Sequence, residues 1–138
     1  MNRSRIALIA IVAVAGSLLG GIMLGRAGRG MLEQSHTQAE LALDLERARV
    51  SILHGRLELL GSNFGSANKH FDHARGPLQS AHARLNAADR TDDAARVQAA
   101  LTAITEAQQL ALALNREADA KATEALRGLD AIIPSSAP

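Results

Sequence analysis

The chain has 138 residues, a formal net charge of +1, no cysteine, no Trp or Tyr, and two phenylalanines. That length holds one soluble domain and an appendage. The near-neutral balance leaves no basic footprint for nucleic acid, and the lack of cysteine excludes disulfides and thiolate metal sites. Apolar residues make up 47% of the chain and proline occupies only three positions. That bias predicts helices, and no stretch alternates as a strand would.

The first element is an uncharged run, IALIAIVAVAGSLLGGIMLG, from Ile6 to Gly25. About twenty such residues cross a bilayer as one helix, so residues 1–25 are read as an N-terminal membrane anchor. Ala13-Val14-Ala15 resembles a signal-cleavage box, but the apolar run continues through Leu24. Signal-peptide cores are shorter, roughly 7–15 residues. Arg3, Arg5 and the terminal amine precede the run, and Arg26 and Arg29 follow it. The slight excess on the first flank favours a cytoplasmic N-terminus. The expectation is a single-pass inner-membrane protein with its C-terminal domain outside the cytoplasm, periplasmic in a Gram-negative cell.

Ala13, Ser17, Gly21 and Gly25 recur every four residues, and Gly16 and Gly20 form a second such pair. Small residues at this spacing let two membrane helices approach closely, as in a homodimer or against a lateral partner. Glycine is also simply common in membrane helices, so both accounts stand.

Residues 26–30 form a Gly/Arg linker, flexible by composition. A helical bundle domain is expected over 31–133, with a disordered tail over 134–138. On the first helix Leu41, Leu45, Ala48, Ile52 and Leu59 recur at four- and three-residue steps, interrupted at Gly55. Leu43, Val50, Leu53, Leu57 and Leu60 form an adjoining stripe. Two stripes predict a helix that touches more than one neighbour. Gly61-Ser62-Asn63 supplies a stop, with Ser62 or Asn63 as the next N-cap. The second helix starts at Phe64 and runs at least to Arg75, where Gly76-Pro77 either interrupts or kinks it. A turn at Asp89–Asp93 comes next, with Thr91 or Asp92 as cap. Val97, Ala100, Ile104, Ala107, Ala111 and Leu114 mark a third helix. A break near Asn115 then gives a fourth, carrying Ala122, Ala125, Leu129 and Ile132.

Both rings of the chain fall in one stretch. Phe64, Ala67, Phe71 and Ala74 are spaced three, four and three apart and share a helical face. Gly55 lies on the preceding helix, where a close crossing needs a missing side chain. These five residues resemble the tetratricopeptide-repeat hairpin, which pairs a small residue in its first helix with alternating aromatic and small residues in its second. The resemblance covers Ala48 to Pro77, about one repeat. Ser51 and Glu58 stand where that family has Trp-like and Tyr-like positions, and Pro77 comes early. Ala122, Leu126 and Leu129 only echo the spacing. A plain hairpin whose rings fill a core fits the same residues. The expected fold is all-α: a transmembrane helix, then an antiparallel bundle of three to four helices with a tetratricopeptide-like hairpin.

Chemistry-bearing motifs are few. Of His36, His54, His70, His73 and His82, the 70/73 pair could share a metal, but a site needs three or four converging ligands. No nucleophile arrangement or phosphate-cradling loop occurs. The sequence therefore predicts no enzyme and no cofactor. It predicts a membrane-anchored binding or scaffolding module for a protein or peptide partner, with a possible homodimer. The alternatives are a His-using metal or haem sensor, or a coiled-coil spacer oligomerising through its membrane helix.

Overall fold

A computed structural model describes residues 35–133. The uncharged run with Ala13, Gly16, Ser17, Gly20, Gly21 and Gly25, the Gly/Arg linker and the tail lie outside the described residues. Within them the chain forms four α-helices and no strand: α1 over 35–60, α2 Phe64–Ala87, α3 Thr91–Leu112 and α4 Ala118–Asp130. No helix among the described residues is long and apolar enough to cross a membrane. The chain divides into two compact units between Gln38 and Ala39, and the bundle is the second of these.

The register of the bundle is visible in its ion pairs. Arg84, late in α2, pairs with Glu40 and, at 3.2 Å, with Asp44, both early in α1. Arg56 Nε donates to Asp119 Oδ1 at 2.7 Å, and Arg49 lies 3.2 Å from Asp130, so α4 runs antiparallel beside α1. Lys121 meets Glu106 at 2.6 Å between α4 and α3. Exposed pairs of this kind contribute only about 0–1 kcal/mol each. Their value is in discriminating one antiparallel register from its neighbours. The hydrogen bond to Asp119 raises the Arg56 pKa further above its ordinary value, against a smaller opposing effect of burial.

The core follows from spacing. Buried positions are Leu41, Leu45, Ala48, Ile52, Gly55 and Leu59 on α1, and Ala67, Phe71, Ala74, Leu78, Ala81 and Leu85 on α2. On α3 they include Val97, Ala100, Ile104, Ala107 and Ala111, and on α4 Ala118, Ala122, Ala125 and Leu129, with Ile132 just after its end. The alternating three- and four-residue steps are those of helices packed near-parallel as a left-handed bundle. The first stripe read from the sequence of α1 is this inner seam. The second stripe is not a contact with another helix of the bundle: Leu43, Val50, Leu53, Leu57 and Leu60 are all exposed.

Three connections share one device. Ser62, Asp89 and Leu114 take positive φ values of 59°, 55° and 54°. The next residue in each case reaches back five positions: Asn63 N–H donates to the Glu58 carbonyl at 2.8 Å, Arg90 to Leu85 at 2.9 Å and Asn115 to Leu110 at 2.8 Å. This is the Schellman closure of a helix end. It is usually built on glycine, yet Gly61 itself is not in the left-handed region; Ser62 is. Asn63 caps α2, its side-chain oxygen accepting from Ser66 N–H at 3.4 Å. Thr91 and Asp92 are not the cap of α3. That position belongs to Arg90, which makes no capping bond from its side chain. Asp92 and Asp93 in the first turn instead complement the helix dipole. α2 continues through Gly76-Pro77, because the apolar positions on both sides of the proline lie in one unbroken seam.

Candidate interaction surface

The five hairpin residues divide into two roles. Phe71 is fully buried, as are Ala67 and Ala74. A Cβ on Gly55 would lie 2.5 Å from Phe71 Cε1 and 2.8 Å from Cδ1. Gly55 is therefore a seat for the Phe71 ring. Phe64 is only partly buried and packs at the edge of the core, since it sits at the first residue of α2 where the helix pair is ending. These residues hold α1 against α2.

The exposed apolar surface lies on the other side of α1. Ala39, Leu43, Glu46, Val50, Leu53, Leu57 and Leu60 alternate four- and three-residue steps and are all exposed. The row thus repeats the spacing of the inner seam on the opposite face. Among its leucines and Val50, exposure is lowest at Leu53, 39%, and highest at the end of the helix, 75% at Leu60. The corresponding outward row of α2 is Gly65, Lys69, Asp72, Gly76, Gln79, Ala83 and Asn86, as polar as a solvated face should be. Leu112 and Leu114 are both 70% exposed. They belong to the same end of the bundle as Leu60, for Arg116 in their connection donates to Ser62 at 3.5 Å.

Beside the α1 row runs a shallow groove between α1 and α2, lined by Glu46, Arg47, Val50, Ser51, His73 and Pro77. Pro77 has no N–H, so the His73 carbonyl is deprived of its helical donor there. A second depression, between α2 and α3, is polar, with Arg75, Gln79, His82, Thr102 and Glu106 on its walls.

The histidines gather in a way the sequence did not signal. His54 on α1 faces His70 with ring centroids 5.4 Å apart, and His73 follows at 6.3 Å from His70. Both contacts are edge-on. His36 and His82 do not join them. Among the described residues, no group of three or more histidines and carboxylates converges as a metal would require.

No protein-family model, curated protein or solved structure matches this chain.

Proposed function

We propose that this chain is a membrane-anchored helical module that binds or scaffolds another protein, with the outer face of α1 and the adjoining α1/α2 groove as its docking surface. Residues 6–25 act as the anchor, with the N-terminus in the cytoplasm and the bundle outside it. The tetratricopeptide-like character of the α1/α2 hairpin belongs to the same proposal, as a single unit completed by α3 and α4. The observation that carries the reading is the exposed row Leu43, Val50, Leu53, Leu57 and Leu60. Contiguous apolar surface on a soluble face is a cost unless something covers it. A helix with heptad-spaced apolar residues is the form in which an amphipathic helix or a peptide groove is recognised.

The test is site-specific photo-crosslinking of the full chain in cells, followed by alkaline extraction of membranes. A photoreactive residue at Leu57 is expected to form protein adducts in the membrane pellet. One at Lys69, on the outer row of α2, is expected to form none. Equal labelling at both positions would remove the docking surface. Recovery of the chain in the soluble fraction would remove the anchor.

A further inference from the structure

We propose that the occupant of this face is a second copy of the chain, with two α1 helices paired parallel and in register along their outer rows. The inference rests on the reading of α1 as a docking surface and names what docks there.

Spacing comes first. Leu43, Val50 and Leu57 stand seven residues apart, and Glu46, Leu53 and Leu60 stand seven apart three residues later. This is the two-position seam of a coiled coil, presented outward over three successive turns of the heptad. The central layer, with β-branched Val50 at the first position and Leu53 at the second, has the residue choice of a two-stranded coil. The inner seam of the same helix already uses this geometry within the bundle.

Charge then selects orientation and register. Glu46 is the only charged residue in the row. In a parallel pair, a residue at the second seam position packs beside the residue that follows its counterpart on the other helix. In register, Glu46 of one copy faces Glu46 of the other, and Arg47 of each copy, flanking that layer, meets the opposing Glu46 and offsets the like-charge contact, twice per dimer. Arg47 is exposed and makes no ion pair among the described residues. Glu46 approaches only Arg49, at 3.7 Å, and Arg49 is already 3.2 Å from Asp130. A shift by one heptad would set Glu46 against Leu53 and strand its charge. Arg49 and Arg56, which flank the row, are matched by Asp130 and Asp119 of α4 and do not oppose the approach of a second copy.

Connectivity agrees. The uncharged 6–25 run enters every copy at the same end of α1. Copies tethered in one bilayer bring those ends together, which favours a parallel pair over an antiparallel one.

The natural chain has no cysteine, so single cysteines report on pairing without background. The experiment uses the full chain in its native membranes, with Leu53→Cys, Leu57→Cys and the control Lys69→Cys oxidised in parallel. Disulfide-linked dimers at 53 and 57 with none at 69 are expected. Mixing Leu43→Cys with Leu57→Cys chains should give only like-with-like dimers. Mixed dimers would overturn the parallel register. Leu53→Glu with Leu57→Glu should lower the cross-linked fraction of a Val50→Cys chain by about tenfold, while circular dichroism stays helical because neither leucine is in the core. Two negative results separate the two levels of the proposal. No disulfide at 53 or 57, with a different protein photo-crosslinked at Leu57, overturns self-pairing and leaves the docking surface. No disulfide and no adduct overturns both.

Discussion

The two hairpins of this bundle solve the same packing problem with different materials. The α1/α2 pair uses large side chains, Ile52, Phe71, Leu78 and Leu85, and needs a glycine to receive one of them. The α3/α4 pair is richer in alanine: Ala94, Ala100, Ala103, Ala107, Ala111, Ala118, Ala122 and Ala125 are buried there, beside Val97, Ile104, Leu126 and Leu129. Each half also has a helical glycine at a contact. At Gly55 an added Cβ would collide with the Phe71 ring. At Gly128 it would lie 3.5 Å from the Arg96 carbonyl oxygen and 4.0 Å from the Ala100 Cβ, an ordinary contact. One half is interlocked around a ring; the other has no ring and more alanine, with Val97, Ile104 and Leu129 as its larger side chains. The same residue type therefore has opposite significance in the two halves.

The largest test of this contrast removes the ring. Phe71→Ala should cost about 3–5 kcal/mol, the usual range for a fully buried phenylalanine, read as a shift in urea midpoint by helical circular dichroism of the full chain. A loss under ~1 kcal/mol would mean that the first hairpin is no more interlocked than the second. Next in size is a pair of glycine substitutions with opposite signs. Gly55→Ala should destabilise by about 1–3 kcal/mol through overpacking. A smaller side chain, Phe71→Leu, should restore part of that loss in the same chain. Gly128→Ala should stabilise by about 0.5–1 kcal/mol, the ordinary gain of alanine in a helix. If both raise the midpoint, the contrast between the hairpins is lost. The smallest effect belongs to the connection before α4. Leu114 is a γ-branched residue in the left-handed region and is mostly exposed. Leu114→Gly relieves a conformation that costs roughly 1–2 kcal/mol, and the added freedom of the unfolded chain takes back about 0.5–1 kcal/mol. A net gain of about 0.5 kcal/mol is expected.

Much of the fold was legible because three- and four-residue steps state directly which side of a helix is dry. Leu41 to Leu59 on α1 and Val97 to Ala111 on α3 are buried as their spacing predicts, whereas Leu114, read as the last of that row, is exposed in the connection after α3. The break near Asn115 is also as read. Pro77 left two readings open, a break or a kink, and the helix is continuous because the seam running from Phe71 to Leu85 outweighs the proline's local preference for ending it. The caps were harder still. Nothing in a sequence says that serine, aspartate and leucine will take left-handed conformations while Gly61 will not. The identity of the residue beneath Phe71 depended on helix-to-helix stagger, which ion pairs such as Arg84 with Asp44 help to set. At the candidate surface, the leucine row was visible as a second stripe. Its exposure was not, because periodicity marks a face as apolar without saying whether anything lies against it. The approach of His54 to His70 was not legible for a related reason: the two lie on different helices.

The three short connections have a kinetic consequence. Pairings of α1 with α2, α2 with α3 and α3 with α4 each join helices that follow one another in the chain, so they form at little loop-closure cost. The seam between α1 and α4 is different. Arg56 and Asp119 stand 63 positions apart, so their meeting waits on the rest of the ring. Topologies dominated by local contacts fold fast, and here the single long-range step comes last and is the first to reverse. Amide exchange should therefore begin along the α1–α4 line. A bundle opening there would free α1 on its inner face as well as its outer one, for the moment before the ring closes again.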